Sequence, residues 1–427
     1  MIEKRTPLPV GEAVKRVMDY SITSQKEYVS IEMTNNRFLA EDLVATHDVP
    51  SFDRSPYDGY AIRSVDTTGG SSSNPITLQV VGEIGAGFVF NGTVEQGQVV
   101  RIMTGAQIPN GCDAVVMLEV VRELGNGNIE LKRTIKKGDN ISYQGEDTKK
   151  GTVLVEKGTR INPGIVALLA TFGYSQVPVA VKPKIGVIAT GTELLDVDQD
   201  LEPGRIRNSN THMIMAQIDR AGGEPIYFGK LADDFDTCFG AISEILSKVD
   251  VLITTGGVSV GDYDYMPAIL KKLGSDILFN KVAMRPGSVT TVATLGQEKI
   301  IYGLSGNPSA CYVGFELFVR PVLQRAMYSK KPHHSKTKAI LAVDFPKPNP
   351  FMRLVRSKLS NEGSRIHVAP SGLDKSGVVS SLSGADCLML LPGGTRGYEK
   401  GMEIDVLLLE DQQGSEWPWN NIVPSYK

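Results

Sequence analysis

At 427 residues the chain is longer than one ordinary hydrophobic core, so about two to four domains are expected. With 41% hydrophobic and 22% charged residues and a formal net charge of −3, it has the composition of a soluble globular protein. It lacks the basic surplus that nucleic acid demands. No apolar run approaches the ~18 residues of a membrane span, and MIEKRTPLPVGE holds no apolar signal core. The expectation is a soluble cytoplasmic protein with neither nucleic-acid nor membrane partners. Cys112, Cys238, Cys311 and Cys387 are scattered with no C-x-x-C and read as reduced thiols.

Residues 1–180 open with a helix in TPLPVGEAVKRVMDY and continue as short strands such as ITLQVVGEIGAGF and GQVVRIMTG, broken by glycine turns. A β-rich module inserted at about 51–145 is expected, with flanking segments able to pair. From 181 to 328 strand and helix alternate. KIGVIAT, EPIYFG and VDVLITT read as buried strands. NSNTHMIMAQIDRAGG, DDFDTCFGAISEILSKV and PSACYVGFELFVRPVLQRAM read as helices. Alternation argues for a three-layer α/β domain with a mostly parallel sheet. SKKPHHSKTK reads as a solvated linker, because His333 and His334 have no third metal ligand nearby. Residues 336–412, with AILAVDF, CLMLLP and MEIDVLLLE, read as a small all-β domain. The tail carrying Trp417 and Trp419 reads as packing against the body.

In an open α/β sheet ligands bind beyond the carboxyl ends of the strands. Four loops belong there: ATGTELL with Glu193 at a helix entry, LADDFD with Asp233 and Asp234, TTGGVSVGDYDY with Asp262 and Asp264, and LSGNPSA. In the last, Asn307 caps a helix and exposes amides to an anion. Taken singly, each acid suits a helix start, and Gly256–Gly257 suits a tight turn. Taken together they line one rim. A carboxylate 4 Å from a phosphate repels it by about 4 kcal/mol at an effective dielectric of 20. A divalent cation reverses that sign, so a magnesium-bridged anionic ligand is expected. Lys281 and Arg285 add positive charge before a Pro-Gly turn. There is no P-loop, no G-x-G-x-x-G after a strand and no histidine placed for a triad.

SPYDGYA, RIMTGAQIPNGCDAVVMLE, GEDTKKGTVLVEKGTRI, ATGTEL, GGVSVGDYDY and GLSGNPSA, in that order, resemble the molybdopterin molybdenumtransferase (molybdenum insertase) family, MoeA in bacteria and the E domain of gephyrin in animals. The likeness runs over nearly the whole chain. It implies a homodimer with a C-terminal β-barrel, and Mg²⁺-dependent reaction of adenylyl-molybdopterin with molybdate, releasing AMP. Other molybdenum cofactor biosynthesis proteins become expected partners.

The resemblance gives functional roles to Asp58, Asp147, Glu193, Asp233 and Asp264, the last three around the metal, with Asp262 behind Asp264. For substrate it implies Thr104, Gly256, Gly257, Ser259, Lys281, Arg285, Asn307 and Ser309. In the barrel it implies Arg353, with Arg356 as the alternative, and Ser376 around a tetrahedral oxyanion. Asp58, Thr104 and Asp147 are expected to face the partner subunit's α/β domain. The chain departs from the pattern at Arg285, where lysine is usual, at Ser288, where a second cation often stands, at Ser305 in place of proline, and at Ala310 in place of serine; Ser309 is the candidate substitute. Two rival activities remain: adenylylation of molybdopterin with ATP, and non-catalytic cofactor carriage or scaffolding. A GGTG-type loop would mark the first; retained acids argue against the second.

Overall fold

The computed structural model describes residues 6–20, 22, 24–231, 234–256, 265–296, 299–348, 350–362, 364–409 and 417–419. The chain forms two compact units, one from 42–156 and 168–174, the other from 1–41, 157–167 and 175–427.

A six-stranded sheet organises the larger unit, in the spatial order Glu224–Leu231, Lys184–Thr190, Val251–Thr255, Lys299–Leu304, Thr291–Leu295, Asp276–Phe279. The first four strands run parallel, with Val187 opposite both Tyr227 and Ile253. Thr291–Leu295 runs antiparallel to both neighbours, which makes the sheet mixed. Side chains alternate between two cores. Ile300 and Tyr302 pack with helix Ser209–Ala221 and the helical stretch from Pro308, whereas Ile301 packs with helices Phe235–Leu246 and Met266–Lys272. Both faces are therefore covered, which is why VLI at 251–253 is apolar throughout rather than alternating. Each such fully buried aliphatic side chain stabilises by about 1.5–3 kcal/mol.

Helix ends follow local chemistry. Asn208 caps Ser209–Ala221 by accepting from the Thr211 amide at 3.2 Å, and Gly222, at φ 97°, ends it in the left-handed region. The stretch from Pro308 to Ala326 is α-helical at both ends and π-helical over Phe315–Val319. Pro321 has no amide to give and its ring crowds the carbonyl four residues back, so the ladder widens there.

The basic segment before the barrel is not a solvated linker. His333 and His334 are buried, and His334 Nε2 lies 2.7 Å from the buried Glu316 carboxylate. The correction has a charge-based reason: Glu316 sits inside the helix layer, where Gln217, Arg220 and His334 converge to satisfy it. Trp417 packs edge-on against His333 and Trp419 joins the main core, so this part of the tail does pack on the body.

Strands Lys336–Leu341, Met352–Glu362, Arg365–Pro370, Cys387–Leu391 and Glu403–Leu408 close into a five-stranded barrel, since Met352–Glu362 also pairs with Cys387–Leu391. Met284–Arg285 joins its edge, setting Arg285 opposite Arg353. The N-terminal helix Val10–Met18 packs into the main core, and Lys26–Ser30 pairs antiparallel with Gln176–Ala180.

The smaller unit holds a second six-stranded sheet, ordered Ala114–Met117, Gly59–Ile62, Gln98–Ile102, Ile76–Ile84, Asn128–Leu131, Val121–Gly125. Tyr60 and Ile62 enter one core and Ala61 the other, so both faces are again buried. Among the described residues no helix is long and apolar enough to cross a membrane.

Burial pushes the His333 imidazole down to about 4 and, with Arg320 nearby, lowers His334 as well. Desolvation works against the Glu316 carboxylate, yet the His334 hydrogen bond and the Arg220 and Arg320 charges hold it below its ordinary value. The unfolded chain therefore takes up protons first as pH falls. The stability these groups confer is complete above the ordinary histidine value of 6.5 and declines as pH drops toward 4, with the Glu316 share lost last. Melting curves from pH 7.5 to 4 should show a falling Tm, flattened in His333→Phe; a pH-independent Tm would contradict this arrangement.

Candidate active site

Four parallel strands end at one rim, and their loops enclose a cavity of about 1010 Å³. Thr190–Leu194 follow the first strand, Leu231 ends the second, Thr255–Gly256 end the third, and Ser305–Pro308 follow the fourth. Ile206–Asn210 and Tyr265–Met266 complete the α/β wall, and Gly377 and Val379 from the barrel close the remaining side. The lining mixes apolar side chains, among them Leu231, Cys238, Met266 and Ile269, with polar ones, among them Glu193, Asn208, Asn210, Ser305 and Asn307.

Backbone constraints shape the floor. Gly256 has φ 90°, and a Cβ there would meet the Thr190 carbonyl oxygen at 2.7 Å. Its amide donates to the Leu304 carbonyl at 3.0 Å, and a Cβ on Gly306 would lie 3.7 Å from the Gly256 Cα. At Gly256 only glycine permits this backbone conformation and the close approach to Thr190, whereas the Gly306 contact is of ordinary van der Waals length. Asn210 donates its side-chain amide to the Gly306 carbonyl at 2.8 Å and so holds the same loop from the helix side.

Glu193 does not enter a helix. Its peptide leads into the two-residue strand Leu194–Leu195, paired parallel with Ile206–Arg207, and its carbonyl accepts from the Ile206 amide at 2.9 Å. The pairing segment downstream of Arg205 competes successfully with helix formation, leaving the Glu193 carboxylate exposed on the cavity wall. Asp234 is the N-cap of the next helix, its carboxylate accepting from the Thr237 amide at 2.8 Å; the Thr237 side-chain hydrogen bond, then this amide bond, lowers its pKa. Asp233, Gly257, Ser259, Asp262 and Asp264 lie outside the described residues. Among the described residues no three His, Cys, Asp or Glu side chains converge as a metal cluster. The donors present, one exposed carboxylate with hydroxyl and amide oxygens around it, suit Mg²⁺, which takes few protein carboxylates and completes its shell from substrate and water.

Asn307 stands at the cap position but makes no side-chain cap bond; its backbone N–H donates to Ser305 Oγ at 3.2 Å. Ser309 differs from the expected anion contact. It is fully buried, its amide donates to the Ser376 carbonyl at 3.1 Å and its hydroxyl to the Val378 carbonyl at 2.9 Å. Both donors are spent on the barrel loop, so Ser309 fastens barrel to α/β domain. Ser376 meets the rim through that carbonyl, and its residue is exposed.

In the barrel, Arg353 Nε lies 3.0 Å from the Asp374 carboxylate, with Lys347 Nζ at 3.5 Å and Arg356 Nη1 at 3.8 Å. Arg356 is buried; its Nε donates to Ser381 Oγ at 3.0 Å and its Nη2 to the Lys375 carbonyl at 3.3 Å. Lys281 is half-buried beside the N-terminal segment, its carbonyl accepting from the Leu8 amide, and Arg285 is exposed.

The smaller unit gathers three loops. Asp58 accepts from the Thr104 amide at 2.7 Å and hydroxyl at 2.9 Å, and the amide bond, then the hydroxyl bond, depresses its pKa. Arg54 bridges to both Gln107 and Ser142, lacing the Asp58 segment to the Thr104 loop and to the loop that carries the exposed Asp147. Phe52, Tyr57, Met103 and Tyr143 are exposed apolar side chains on these same loops.

Sequence reasoning missed Asn208, Asn210 and Tyr265 as cavity walls and Asp374 as the partner of the barrel cations. The NSN run before a helix hinted at the first two, since capping needs only one asparagine. Nothing local marked Asp374.

Residues 8–173 match the MoeA N-terminal region (domain I and II), 186–325 the probable molybdopterin binding domain, and 338–409 the MoeA C-terminal region (domain IV). The molybdopterin molybdenumtransferase of Bacillus subtilis (strain 168) is 55% identical over 430 residues, covering 100% of each chain. That of Staphylococcus aureus (strain Mu50) is 48% identical over 416 residues, covering 97% of this chain and 99% of its own. A crystal structure of the molybdopterin biosynthesis moeA protein from Pyrococcus horikoshii OT3 superposes with a TM-score of 0.80 at 32% identity, over 94% of this chain and 100% of that one. With likeness of this degree from end to end, the chain belongs to the molybdopterin molybdenumtransferase (MoeA) family.

Proposed function

We propose that this chain inserts molybdenum into adenylyl-molybdopterin, consuming molybdate and releasing AMP, as a soluble cytoplasmic homodimer. The observation that carries this reading is the cavity at the carboxyl ends of four parallel strands, with Glu193, Gly256 and Asn307 on its wall and the barrel loop Gly377–Val379 closing it. Its apolar lining residues suit an aromatic ring system and its polar ones a phosphate-bearing group.

In this reading Glu193, Asp233 and Asp264 hold Mg²⁺, which when bound neutralises the diphosphate and polarises its phosphoanhydride. Gly256, Gly257 and Ser259 let backbone approach the diphosphate closely, since no side chain intervenes at the glycines. Asn307 orients substrate at the rim, with Asn210 fixing the loop behind it. Lys281 and Arg285 raise the local concentration of molybdate. Arg353 and Ser376 receive the tetrahedral oxyanion at the barrel edge, and Ser309 acts on it only by holding Ser376 in place. Asp58, Thr104 and Asp147 complete the catalytic set by facing the partner subunit's cavity. The exposed Phe52, Tyr57, Met103 and Tyr143 beside them supply apolar surface for a second copy to cover. Other proteins of molybdenum cofactor biosynthesis deliver the substrate or receive the product.

Purified protein given adenylyl-molybdopterin, Mg²⁺ and molybdate should release AMP only when molybdate is present. Asp264→Ala and Glu193→Gln should each slow that release on the order of a hundredfold while far-UV circular dichroism stays unchanged. Pyrophosphate formed from ATP and molybdopterin, or full turnover by both variants, would overturn the reading. Gly256→Ala tests the cavity floor: with φ 90° and a backbone oxygen 2.7 Å from the new Cβ, it should cost about 1–3 kcal/mol and weaken nucleotide binding. Wild-type melting and binding in that variant would refute the close packing of the two loops.

A further inference from the structure

Three barrel cations gather on one carboxylate. Asp374 presents one carboxylate, its side chain only 7% exposed, to Arg353 at 3.0 Å, Lys347 at 3.5 Å and Arg356 at 3.8 Å. Arg356, 2% exposed, keeps an Nη1 with no hydrogen-bond partner. Arg285 stands directly opposite Arg353 across the strand pairing, so both side chains project from the same face. Like charges in register repel unless an anion lies between them. The loop carrying Asp374 runs straight on to Gly377 and Val379 on the cavity wall, and Ser309 clamps its middle. The Arg353 and Arg356 guanidinium groups thus already hold a carboxylate that belongs to the loop closing the cavity.

We propose that Asp374 is an internal competitor for the oxyanion, occupying the guanidinium groups of Arg353 and Arg356 until a tetrahedral dianion displaces it. The proposal rests on the reading that the barrel edge receives molybdate. Exchange of a carboxylate for a monoanion brings no gain in charge, whereas exchange for a dianion does, so Asp374 sets both the affinity threshold and the preference for dianions. It is a specificity residue, not a catalytic one. No bond to it forms or breaks during turnover.

Equilibrium dialysis of molybdate, with sulfate and perchlorate as competitors, tests this on the full chain. Asp374→Asn should bind molybdate at least about tenfold more tightly than wild type, and perchlorate, a poor competitor in wild type, should compete in the variant. Equal or weaker molybdate binding by a folded Asp374→Asn overturns the proposal. Should that variant not fold, hydrogen exchange on the wild type decides: saturating molybdate should accelerate exchange at Lys375–Val379 as Asp374 leaves its partners, and unchanged or slower exchange there overturns it. Arg353→Ala separates the two levels of failure. If it abolishes molybdate binding while Asp374→Asn changes nothing, the competitor idea fails and the oxyanion edge stands; if neither substitution matters, both fail.

Discussion

Parallel strands that end together oblige their following loops to share one rim, and this constraint organises the molecule. Parallel pairing requires that each strand be followed by a crossover, so every loop at the carboxyl end of Lys184–Thr190, Glu224–Leu231, Val251–Thr255 and Lys299–Leu304 opens on the same edge. The loops then approach closely where a side chain is absent: at Gly256 an added Cβ would fall 2.7 Å from the Thr190 carbonyl oxygen. The cavity exists because the backbone closes beneath it there, and every charged group on its wall is positioned relative to that floor.

The barrel depends on the same edge. Ser309, on the first helical turn after the fourth strand, gives its amide and hydroxyl to carbonyls of the loop that follows strand Arg365–Pro370. A fully buried serine with both donors satisfied is costly to disturb, because separation would strand polar groups away from water. The barrel wall of the cavity is therefore fixed by one short segment. That segment also explains how a chain with alanine at 310 can still build a closed rim: the hydroxyl is one residue earlier and spent on architecture rather than on ligand.

Much of this was legible in the sequence. Apolar runs such as VLI at 251–253 reported strands buried on both faces, and NSN with a closing Gly222 marked a helix at both ends. The rim itself followed from strand order alone. What stayed illegible depended on partners distant in sequence. Glu193 looked like a helix acid because first-turn acids are common, yet Leu194–Leu195 found a strand partner in Ile206–Arg207. His333 and His334 looked solvated because their neighbours are lysines and prolines, and only the fold places Glu316 beneath them. Asp374 had no local signal at all, since its significance comes from strands Met284–Arg285 and Met352–Glu362 bringing cations to its loop.

Those observations give the cavity wall and the barrel cluster opposite electrostatic problems. On the α/β rim the exposed Glu193 carboxylate would repel a phosphate-bearing ligand unless a cation joined the two. In the barrel, Arg353, Lys347 and Arg356 gather around Asp374, and cationic groups of this kind attract an oxyanion without any metal. The loop that carries Asp374 runs on to Gly377 and Val379 on the cavity wall, so the two conditions meet at one loop. A ligand group arriving there would be sorted by the sign of its charge before shape is consulted.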